Sequence, residues 1–363
     1  MRIALLEPYY GGSHRAFCDT IVARSRHEVT LVTMPARKWK WRIRGSAMWF
    51  AREDTIWFDP RPDLIFCNDM LSVSDLRALL PATMRNVPIV CYFHENQLSY
   101  PIPDDQVRDF QYGMTNITSA LSADAVWFNS SFHREDFLSA VGSLLGKMPD
   151  YVPSGVCEAI RAKSCVLYPP VEVPSVGTRR PADQPLMILW PHRWEFDKNP
   201  EPVFAALIQL AKENLAFRLV VLGEQFRTAP RVFEDSWEAL AAHMHHAGYL
   251  ESREAYWEML SACDVVVSTA IQENFGIAVV EAMVAGCQPL FPDRLAYPEL
   301  LLEAYRGRCL YRRDGDLVGA LRGLISGDGR LDEGSLLGLQ QSVVDRFGAC
   351  RGVTAIDDAL EGV

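Results

Sequence analysis

The stretch that decides the fold is Ser268-Thr269-Ala270-Ile271-Gln272-Glu273-Asn274-Phe275-Gly276-Ile277-Ala278-Val279-Val280-Glu281-Ala282-Met283. An apolar run ends in a polar turn, and a helical pattern begins near Gly276. The free backbone N–H groups of such a helix start form an anion site, and glycine lets a phosphate approach the backbone closely. This stretch therefore predicts an α/β fold that binds an anionic ligand at a strand end.

Two carboxylates belong to the same stretch, Glu273 in the turn and Glu281 inside the helix. Glu281 stands in an otherwise apolar run, where an unpaired charge would be costly to bury. We expect one carboxylate to accept hydrogen bonds from sugar hydroxyls and the other to hold a ribose diol. The alternative is a plain strand, turn and helix with two solvated acids.

Short apolar runs alternate with helical patterns in both halves of the chain, which predicts parallel, doubly wound sheets. In the first half, strands are predicted at 3–6, 28–33, 64–67, 89–93, 125–128 and 166–167, and helices at 15–24, 73–80, 110–123 and 132–141. In the second half, strands are predicted at 186–190, 217–222 and 264–269, and helices at 202–213, 232–246, 253–262 and 276–285.

A run rich in proline marks the boundary between the halves. Residues 1–172 form a predicted N-terminal domain, 173–185 a linker, and 186–342 a C-terminal domain. The last segment, 343–363, is predicted to be a helix that packs back on the N-terminal domain.

Composition indicates an ordinary globular protein. The 363 residues, of which 49% are hydrophobic and 23% charged, suit about two domains. There is neither an apolar run long enough to span a bilayer nor a signal-peptide core, and the nine cysteines form no C-x-x-C pair, so we expect a cytoplasmic protein with reduced thiols. Residues 1–180 carry 20 Lys and Arg against 19 Asp and Glu, and the remainder 16 against 27. The acidic surplus therefore lies in the second half of the chain. The first half, whose charges nearly balance, remains compatible with an RNA partner.

Two cations, Arg193 and Lys198, follow the first strand of the second half, and the next strand ends at Gly223. A guanidinium and an ammonium at a strand end suit a diphosphate leaving group, because negative charge grows there in the transition state. Together with the Glu273 to Glu281 spacing, these motifs resemble the Arg…Lys pair and E-x7-E motif of the retaining nucleotide-sugar glycosyltransferases of family 4. The resemblance implies the GT-B fold, in which two Rossmann-like domains face a cleft. It also implies that the C-terminal domain binds the sugar nucleotide and the N-terminal domain the acceptor.

The same resemblance implies roles for individual residues. Arg193 and Lys198 stabilise the departing diphosphate, Glu273 orients the sugar, and His94 contacts the sugar near the reacting carbon. Retention follows from front-face attack, with the leaving phosphate accepting the acceptor's proton, and no metal or other cofactor is required. The implied donor-binding residues are Gly12, Gly223, Asn274, Phe275, Gly276, Ile277 and Glu281, the last of which holds the ribose.

Polar motifs also stand at strand ends in the first half. Gly11-Gly12-Ser13-His14 opens the first helix, and His94-Glu95-Asn96-Gln97 follows the strand at 89–93. Open α/β sheets bind substrates at this edge. Plain turns and capping residues are the alternative interpretation.

A basic and aromatic segment, Arg37-Lys38-Trp39-Lys40-Trp41-Arg42-Ile43-Arg44, follows the second predicted strand. Its cations can neutralise phosphates, and its indoles can stack on unpaired bases. The regular alternation favours an extended arm that binds RNA. An exposed basic loop and a membrane-contacting segment are the alternatives.

These first-half motifs are similar to those of the tRNA-queuosine mannosyltransferase family. The similarity implies mannosyl transfer from GDP-mannose to queuosine at the wobble position of tRNA, by a monomer or homodimer without stable membrane insertion. The implied acceptor-binding residues are Ser13, His14, Arg37, Lys38, Trp39, Lys40, Trp41, Arg42, Glu95 and Asn96. Rival interpretations are a lipid or small-molecule acceptor, and a sugar-nucleotide epimerase or binding protein on the same fold. His243, His245 and His246, in the predicted helix at 232–246, lack the i, i+4 spacing of a metal site, so none is expected.

Overall fold

The structure is a computed structural model that describes residues 1–52, 56–103, 107–174, 184–225 and 229–363. It divides the chain into two units: unit 1 consists of Met1–Pro170 and Ala349–Val363, and unit 2 of Val171–Gly348. Most of the predicted linker, residues 175–183, lies outside the described residues. The return to unit 1 comes at Ala349, six residues later than the predicted 343, because the preceding helix runs on to Phe347 within unit 2.

Unit 1 contains a parallel sheet with the strand order β2-β1-β3-β4-β5-β6. Its strands are β1 (Arg2–Tyr10), β2 (Glu28–Pro35), β3 (Leu64–Asn68), β4 (Ile89–Phe93), β5 (Ala125–Phe128) and β6 (Ser164–Val166). Its helices are α1 (Gly12–Arg24), α2 (Trp39–Phe50), α3 (Val73–Leu79), α4 (Phe110–Ser122), α5 (Ser131–Leu145) and α6 (Val156–Ala162), with a 3-10 turn at Ile56–Phe58. Strands β3 and β4 are buried along their whole length, as central strands covered by helices on both faces must be.

Unit 2 contains a second parallel sheet, with the order β12-β11-β10-β7-β8-β9. Its strands are β7 (Leu186–Pro191), β8 (Phe217–Leu222), β9 (Met244–Gly248), β10 (Val265–Val267), β11 (Gln288–Pro292) and β12 (Leu310–Tyr311). Its helices are α7 (Pro200–Lys212), α8 (Val232–Leu240), α9 (Arg253–Ala262), α10 (Ile277–Val284), α11 (Tyr297–Leu300), α12 (Glu303–Cys309), α13 (Leu317–Ser326) and α14 (Glu333–Phe347), with 3-10 turns at Phe196–Lys198 and Asp314–Asp316.

The chain ends in unit 1 as α15 (Ala349–Glu361), which packs on α1. Ile356 and Leu360 are buried in an apolar cluster with residues of β1 and α1. Asp357 accepts hydrogen bonds from the Ser25 hydroxyl at 2.7 Å and from the backbone N–H of Arg26 at 2.9 Å. The C-terminal helix therefore completes unit 1. No helix in the described part of the chain is both long and apolar enough to cross a bilayer.

The predicted α/β class with two parallel sheets is confirmed, but the predicted extended arm at 37–44 is wrong. From Trp39 onward this segment is helix α2. Ile43, Ala47 and Phe50 recur at helical spacing and are buried. The segment is helical because this form buries these three side chains in the core of unit 1. The alternation of basic and aromatic side chains, which suggested an extended chain, does not decide its structure.

The predicted helix at 232–246 is also wrong in its second half. Helix α8 ends at Leu240, and Met244–Gly248 pairs with β8 as the edge strand β9. Exposure alternates along β9, as it does in an edge strand. His245 and His246 therefore lie on a strand rather than a helix.

Candidate functional site

The residues after β7 and β10 form a cluster around a buried lysine in unit 2. Lys198 is buried, and its Nζ lies 3.2 Å from Asp197 Oδ2 and 3.4 Å from Glu273 Oε2. Nζ also donates to the backbone oxygen of Gln272 at 3.0 Å. Burial on its own would lower the pKa of Lys198, but the charges of Glu273 and Asp197 raise it. Lys198 is thus a cation held in one place beside Glu273.

The helix start predicted from the sequence lies next to this cluster. Gly276 precedes α10 with a φ of +90°, a left-handed conformation that favours glycine. The free N–H groups that follow it are the groups expected to bind an anion, and this role stays a prediction. Asn274 accepts a hydrogen bond from Gln272, and the ring of Phe275 is buried 5.3 Å from that of Phe347. The ring of Phe275 is therefore packed inside unit 2, so the contact predicted between this residue and the donor would be made by its backbone.

Both carboxylate oxygens of Glu281 have partners on α9. Arg253 Nη2 donates to Oε1, and the Tyr256 hydroxyl donates to Oε2 at 2.8 Å. This pairing explains how a buried acid is tolerated in the apolar helix α10. Sequence reasoning missed both partners, because they precede Glu281 by 28 and 25 residues.

Arg193 and Gly223 lie in the turns after β7 and β8. The Arg193 side chain is half exposed, with Nη2 3.1 Å from Glu195 Oε2. Gly223 has a φ of +125°, and a Cβ added there would lie 2.0 Å from the carbonyl oxygen of His192. The two turns are in direct backbone contact, so glycine is required at this position.

We expect Gly223→Ala to lower the free energy of unfolding by about 2–4 kcal/mol, because the added methyl group must displace the His192 carbonyl and the φ is unfavourable for alanine. Thermal unfolding followed by circular dichroism measures the change. Gly307→Ala in α12, where an added Cβ meets nothing within 4 Å, is the matched control and should be neutral or slightly stabilising. A Gly223→Ala protein as stable as the wild type would contradict the close approach.

In unit 1, the carboxyl ends of β1, β3 and β4 bring a second polar cluster together. His14 Nδ1 lies 3.3 Å from Glu7 Oε2, which also accepts from Asn68 Nδ2. The imidazole rings of His14 and His94 are 4.3 Å apart between centroids. Two residues predicted from separate motifs thus meet, together with Glu7 and Asn68, which sequence reasoning did not assign to the site.

The two imidazoles in this cluster differ in charge. Burial on its own would lower the pKa of His14, but the charge and hydrogen bond of Glu7 raise it to about 9. Burial, followed by the charges of His14 and His133, lowers the pKa of His94 well below its ordinary value. His14 is therefore protonated at neutral pH, whereas His94 is neutral.

The stability contributed by His14 should depend on pH. Its pKa rises from 6.5 to about 9 on folding, so the contribution is complete below pH 6.5 and disappears as the pH rises through about 9. We expect His14→Gln to lower the free energy of unfolding more at pH 6 than at pH 10, as measured by urea denaturation. An equal loss at both pH values would mean that the Glu7–His14 ion pair does not form.

Glu7, His14 and His94 also form the group of described residues that could hold a metal ion, since one ligand atom from each lies within 4.8 Å of the others. Two imidazoles and a carboxylate suit an ion such as Zn²⁺. A metal would first have to displace the proton from His14, and the ion pair satisfies Glu7 without one. The expected absence of a metal stays a prediction.

Asp69 and Asn96 shape the turn after β4. Asp69 Oδ1 accepts from the backbone N–H groups of His94 at 2.8 Å and Glu95 at 3.5 Å. Asn96 is fully buried, and its Oδ1 accepts from the backbone N–H groups of Leu98 and Ser99, both at 3.0 Å. The amide oxygen of Asn96 is therefore occupied within the turn, which limits the acceptor contact predicted for this residue.

Of the two glycines at the start of α1, Gly11 and Gly12, only one has free space beside its backbone. Gly12 has a φ of +52°, and an added Cβ would meet nothing within 4 Å. Gly11 is tightly packed, because its added Cβ would lie 2.5 Å from the Cβ of Ala36. Ser13 is exposed in the first turn of the helix. A ligand can thus approach the backbone at Gly12.

Helix α2 and the two residues before it carry most of the predicted RNA-binding side chains at the surface. Trp41 is 56% exposed, and Lys40 Nζ lies 5.6 Å from the centre of the Trp39 ring. Arg42 differs, because it is 6% exposed and donates from Nε and Nη2 to the backbone oxygen of Pro35. Arg42 therefore anchors α2 to the preceding strand, and its predicted contact with the acceptor stays a prediction that its burial does not favour. The exposed members of this surface, called the α2 surface below, are Arg37, Lys38, Lys40, Trp41, Arg44, Met48 and Trp49.

Comparison with known proteins identifies relatives for both parts of the chain. Residues 2–171 match the family described as tRNA-queuosine alpha-mannosyltransferase N-terminal, and residues 178–332 match glycosyl transferases group 1. The chain is 38% identical over 309 residues to the tRNA-queuosine alpha-mannosyltransferase of Drosophila melanogaster, covering 82% of this chain and 81% of that protein. The chain belongs to the tRNA-queuosine alpha-mannosyltransferase family. The family predicted from the sequence is confirmed.

A more distant sequence relative and two solved structures of similar fold were also found. A GDP-mannose-dependent alpha-(1-6)-phosphatidylinositol dimannoside mannosyltransferase of Mycobacterium tuberculosis is 23% identical over 88% of this chain and 81% of that protein. The structure of Anabaena HepE in complex with UDP-glucose matches over 100% of both chains, with a TM-score of 0.70 and 14% identity. The lipopolysaccharide outer core galactosyltransferase WaaB matches 100% of this chain and 99% of its own, with a TM-score of 0.67 and 15% identity. These likenesses confirm the predicted GT-B fold.

Proposed function

We propose that this protein transfers a mannosyl group from GDP-mannose to queuosine in tRNA. The observation that carries the proposal is the 38% identity to the Drosophila tRNA-queuosine alpha-mannosyltransferase over most of both chains. GDP-mannose as the donor is further supported by the mycobacterial relative, whose name describes it as GDP-mannose-dependent.

Unit 2 supplies the groups that a sugar diphosphate needs. When the bond between mannose and the diphosphate breaks, negative charge grows on the leaving phosphate. The buried ammonium of Lys198 and the N–H groups after Gly276 are fixed before the reaction, so they stabilise this charge without reorganising. Arg193 adds a second cation, Glu273 orients the sugar hydroxyls, and Glu281 holds the ribose.

The acceptor reacts on the face from which the diphosphate departs. A hydroxyl of queuosine forms the new bond to the reacting carbon, and its proton passes to the leaving phosphate oxygen. This course retains the configuration of the sugar and needs neither a metal nor a second carboxylate. His94, to which the family resemblance assigns the sugar contact, is neutral and therefore does not repel the positive charge that develops on the sugar.

Unit 1 supplies the surface for tRNA. The α2 surface combines exposed lysine and arginine side chains with exposed indoles. Cations of this kind bind phosphates, and aromatic rings stack on the unpaired bases of an RNA loop. An anticodon loop, which offers both, matches this surface.

The test is incubation with queuosine-containing tRNA and a panel of GDP- and UDP-sugars, with and without EDTA, followed by mass spectrometry of the nucleosides. We expect one hexose to be added to queuosine with GDP-mannose alone, at a rate that EDTA does not change. Binding of GDP-mannose without any addition to tRNA would refute the acceptor. Conversion of one sugar nucleotide into another without an acceptor would instead identify an epimerase.

A further inference from the structure

We propose that Glu95, supported by the buried carboxylate of Asp69, binds the secondary ammonium group of queuosine. Queuosine is a 7-deazaguanosine that carries a cyclopentenediol joined to the base through an aminomethyl group, and its secondary amine is protonated at neutral pH. The inference rests on the proposed function, because it names the group by which the same acceptor would be recognised.

Asp69 has an oxygen that lacks a partner in a fully buried place. The residue is 0% exposed, and its Oδ1 is engaged by the N–H groups of His94 and Glu95. Its Oδ2 receives no hydrogen bond from any residue that the structure describes. Leaving a buried carboxylate oxygen unpaired is costly, so such an atom indicates a donor that is supplied from outside.

Glu95 is the carboxylate through which a ligand can reach this place. Its side chain is partly exposed, and Gln97 Nε2 donates to its Oε1 at 3.0 Å, which holds the carboxylate in position. Its backbone N–H donates to Asp69 Oδ1, so the turn after β4, which carries Glu95, contacts the turn after β3, which carries Asp69. Burial and the charge of Glu95 raise the pKa of Asp69 to about 8, so Asp69 is largely protonated at neutral pH and can ionise when a cation binds beside it.

The surrounding charges leave the negative charge of Glu95 in excess, and Asp69 beside it is able to ionise when a cation binds. Glu7 and His14 form an ion pair at 3.3 Å, in which one charge offsets the other. His94, which stands between this pair and the turn, is neutral. A ligand that carries both a positive charge and N–H donors therefore complements Asp69 and Glu95, and a protonated secondary amine has both.

The position also suits the reaction. Glu95 directly follows His94, the residue proposed to contact the sugar. In queuosine the amine and the two hydroxyls are carried by the same five-membered ring. Binding the ammonium at Glu95 therefore holds a hydroxyl close to His94.

The experiment compares the affinity of the protein for one tRNA prepared in two forms, with queuosine or with guanosine at the wobble position, using fluorescence anisotropy. Because a charge-assisted hydrogen bond is stronger than a neutral one, the wild type should bind the queuosine form about tenfold more tightly, which corresponds to about 1.4 kcal/mol. Glu95→Gln should remove most of this preference without changing the affinity for the guanosine form. Glu158→Gln, at an exposed position on α6, is the control and should keep the full preference.

Asp69→Asn tests the supporting residue. Asparagine still offers an oxygen to the two backbone N–H groups, so the turn is preserved, but unlike aspartic acid it cannot ionise when the cation of the ligand binds. We expect the preference for queuosine to fall about threefold or more. Thermal unfolding of each variant establishes that the protein measured is folded. If this variant fails to fold, Glu95→Gln still decides the question, because Glu95 is partly exposed.

Three results would overturn the inference. The wild type could bind both tRNAs equally well, the Glu95→Gln variant could keep the full preference for queuosine tRNA, or this variant could lose the same affinity for both tRNAs. A stoichiometric metal whose removal abolishes the preference would also overturn it, because the metal would then supply the missing cation. Binding does not require turnover. A protein that prefers queuosine tRNA but transfers no mannose would therefore refute the proposed function alone, and mannosylation without any preference would refute this inference alone.

Discussion

Lys198→Met should lower kcat for mannosyl transfer by a factor on the order of 10² to 10³. The ammonium of Lys198 is buried, and neighbouring acids and a backbone oxygen hold it in place. Removing one such fixed group from a site where charge develops in the transition state has effects of this size. Methionine keeps the apolar stem and removes the charge. The measurement is the initial rate at saturating GDP-mannose and queuosine tRNA.

Lys212→Met is the matched control, because Lys212 is exposed at the end of α7. It should leave kcat unchanged. Since Lys198→Met leaves Glu273 and Asp197 without their cation, thermal unfolding of both variants establishes that the measured protein is folded. A folded Lys198→Met protein with wild-type kcat would remove Lys198 from the mechanism.

Replacing Arg37, Lys38 and Lys40 together by glutamine should weaken tRNA binding about tenfold or more at low salt. Each cation that contacts a phosphate contributes roughly 0.7–0.9 to the slope of log K against log salt concentration. The triple variant should therefore lower the magnitude of that slope by about 2–3. Slow hydrolysis of GDP-mannose in the absence of tRNA should remain, because none of these three residues is among those assigned to the donor, most of which belong to unit 2.

A second triple variant, Arg24→Gln with Arg85→Gln and Lys147→Gln, removes the same charge from exposed positions of unit 1 outside the α2 surface. It should keep the wild-type salt slope. If the two triple variants behave alike, the α2 surface is not the tRNA site. Loss of binding to anionic lipid vesicles in the first triple variant, with tRNA binding intact, would instead favour a lipid acceptor.

The alternation of strands and helices could be predicted because it depends on local patterns. The strands β3 and β4 are mainly apolar and buried along their whole length, and β8 is interrupted only by the exposed Arg218. Polar residues or a glycine stand at or directly after the end of each strand. Gly276 marks a helix start within a single short stretch for the same reason. The family could be predicted as well, since its motifs are short segments at these strand ends.

Helix α2 and strand β9 could not be predicted in this way. The residues at 37–44 have an alternating pattern, and their helical form depends on Ile43, Ala47 and Phe50 finding a core to pack against. The residues of β9 become a strand because the edge of β8 offers backbone hydrogen bonds. In both cases a distant part of the chain decides between two local possibilities.

Residue types and short spacings were enough to establish the two parallel α/β sheets, the positions of the strand-end motifs and the family, because each of these is encoded within a few consecutive residues. The tertiary structure decided which side chains meet: Arg253 with Glu281, His14 with His94, and Asp69 with the turn that carries Glu95. It also decided their charge, since burial and neighbouring carboxylates keep His14 protonated and burial keeps His94 neutral. These properties depend on distances between side chains from separate strands and helices, and such distances exist only once the chain has folded.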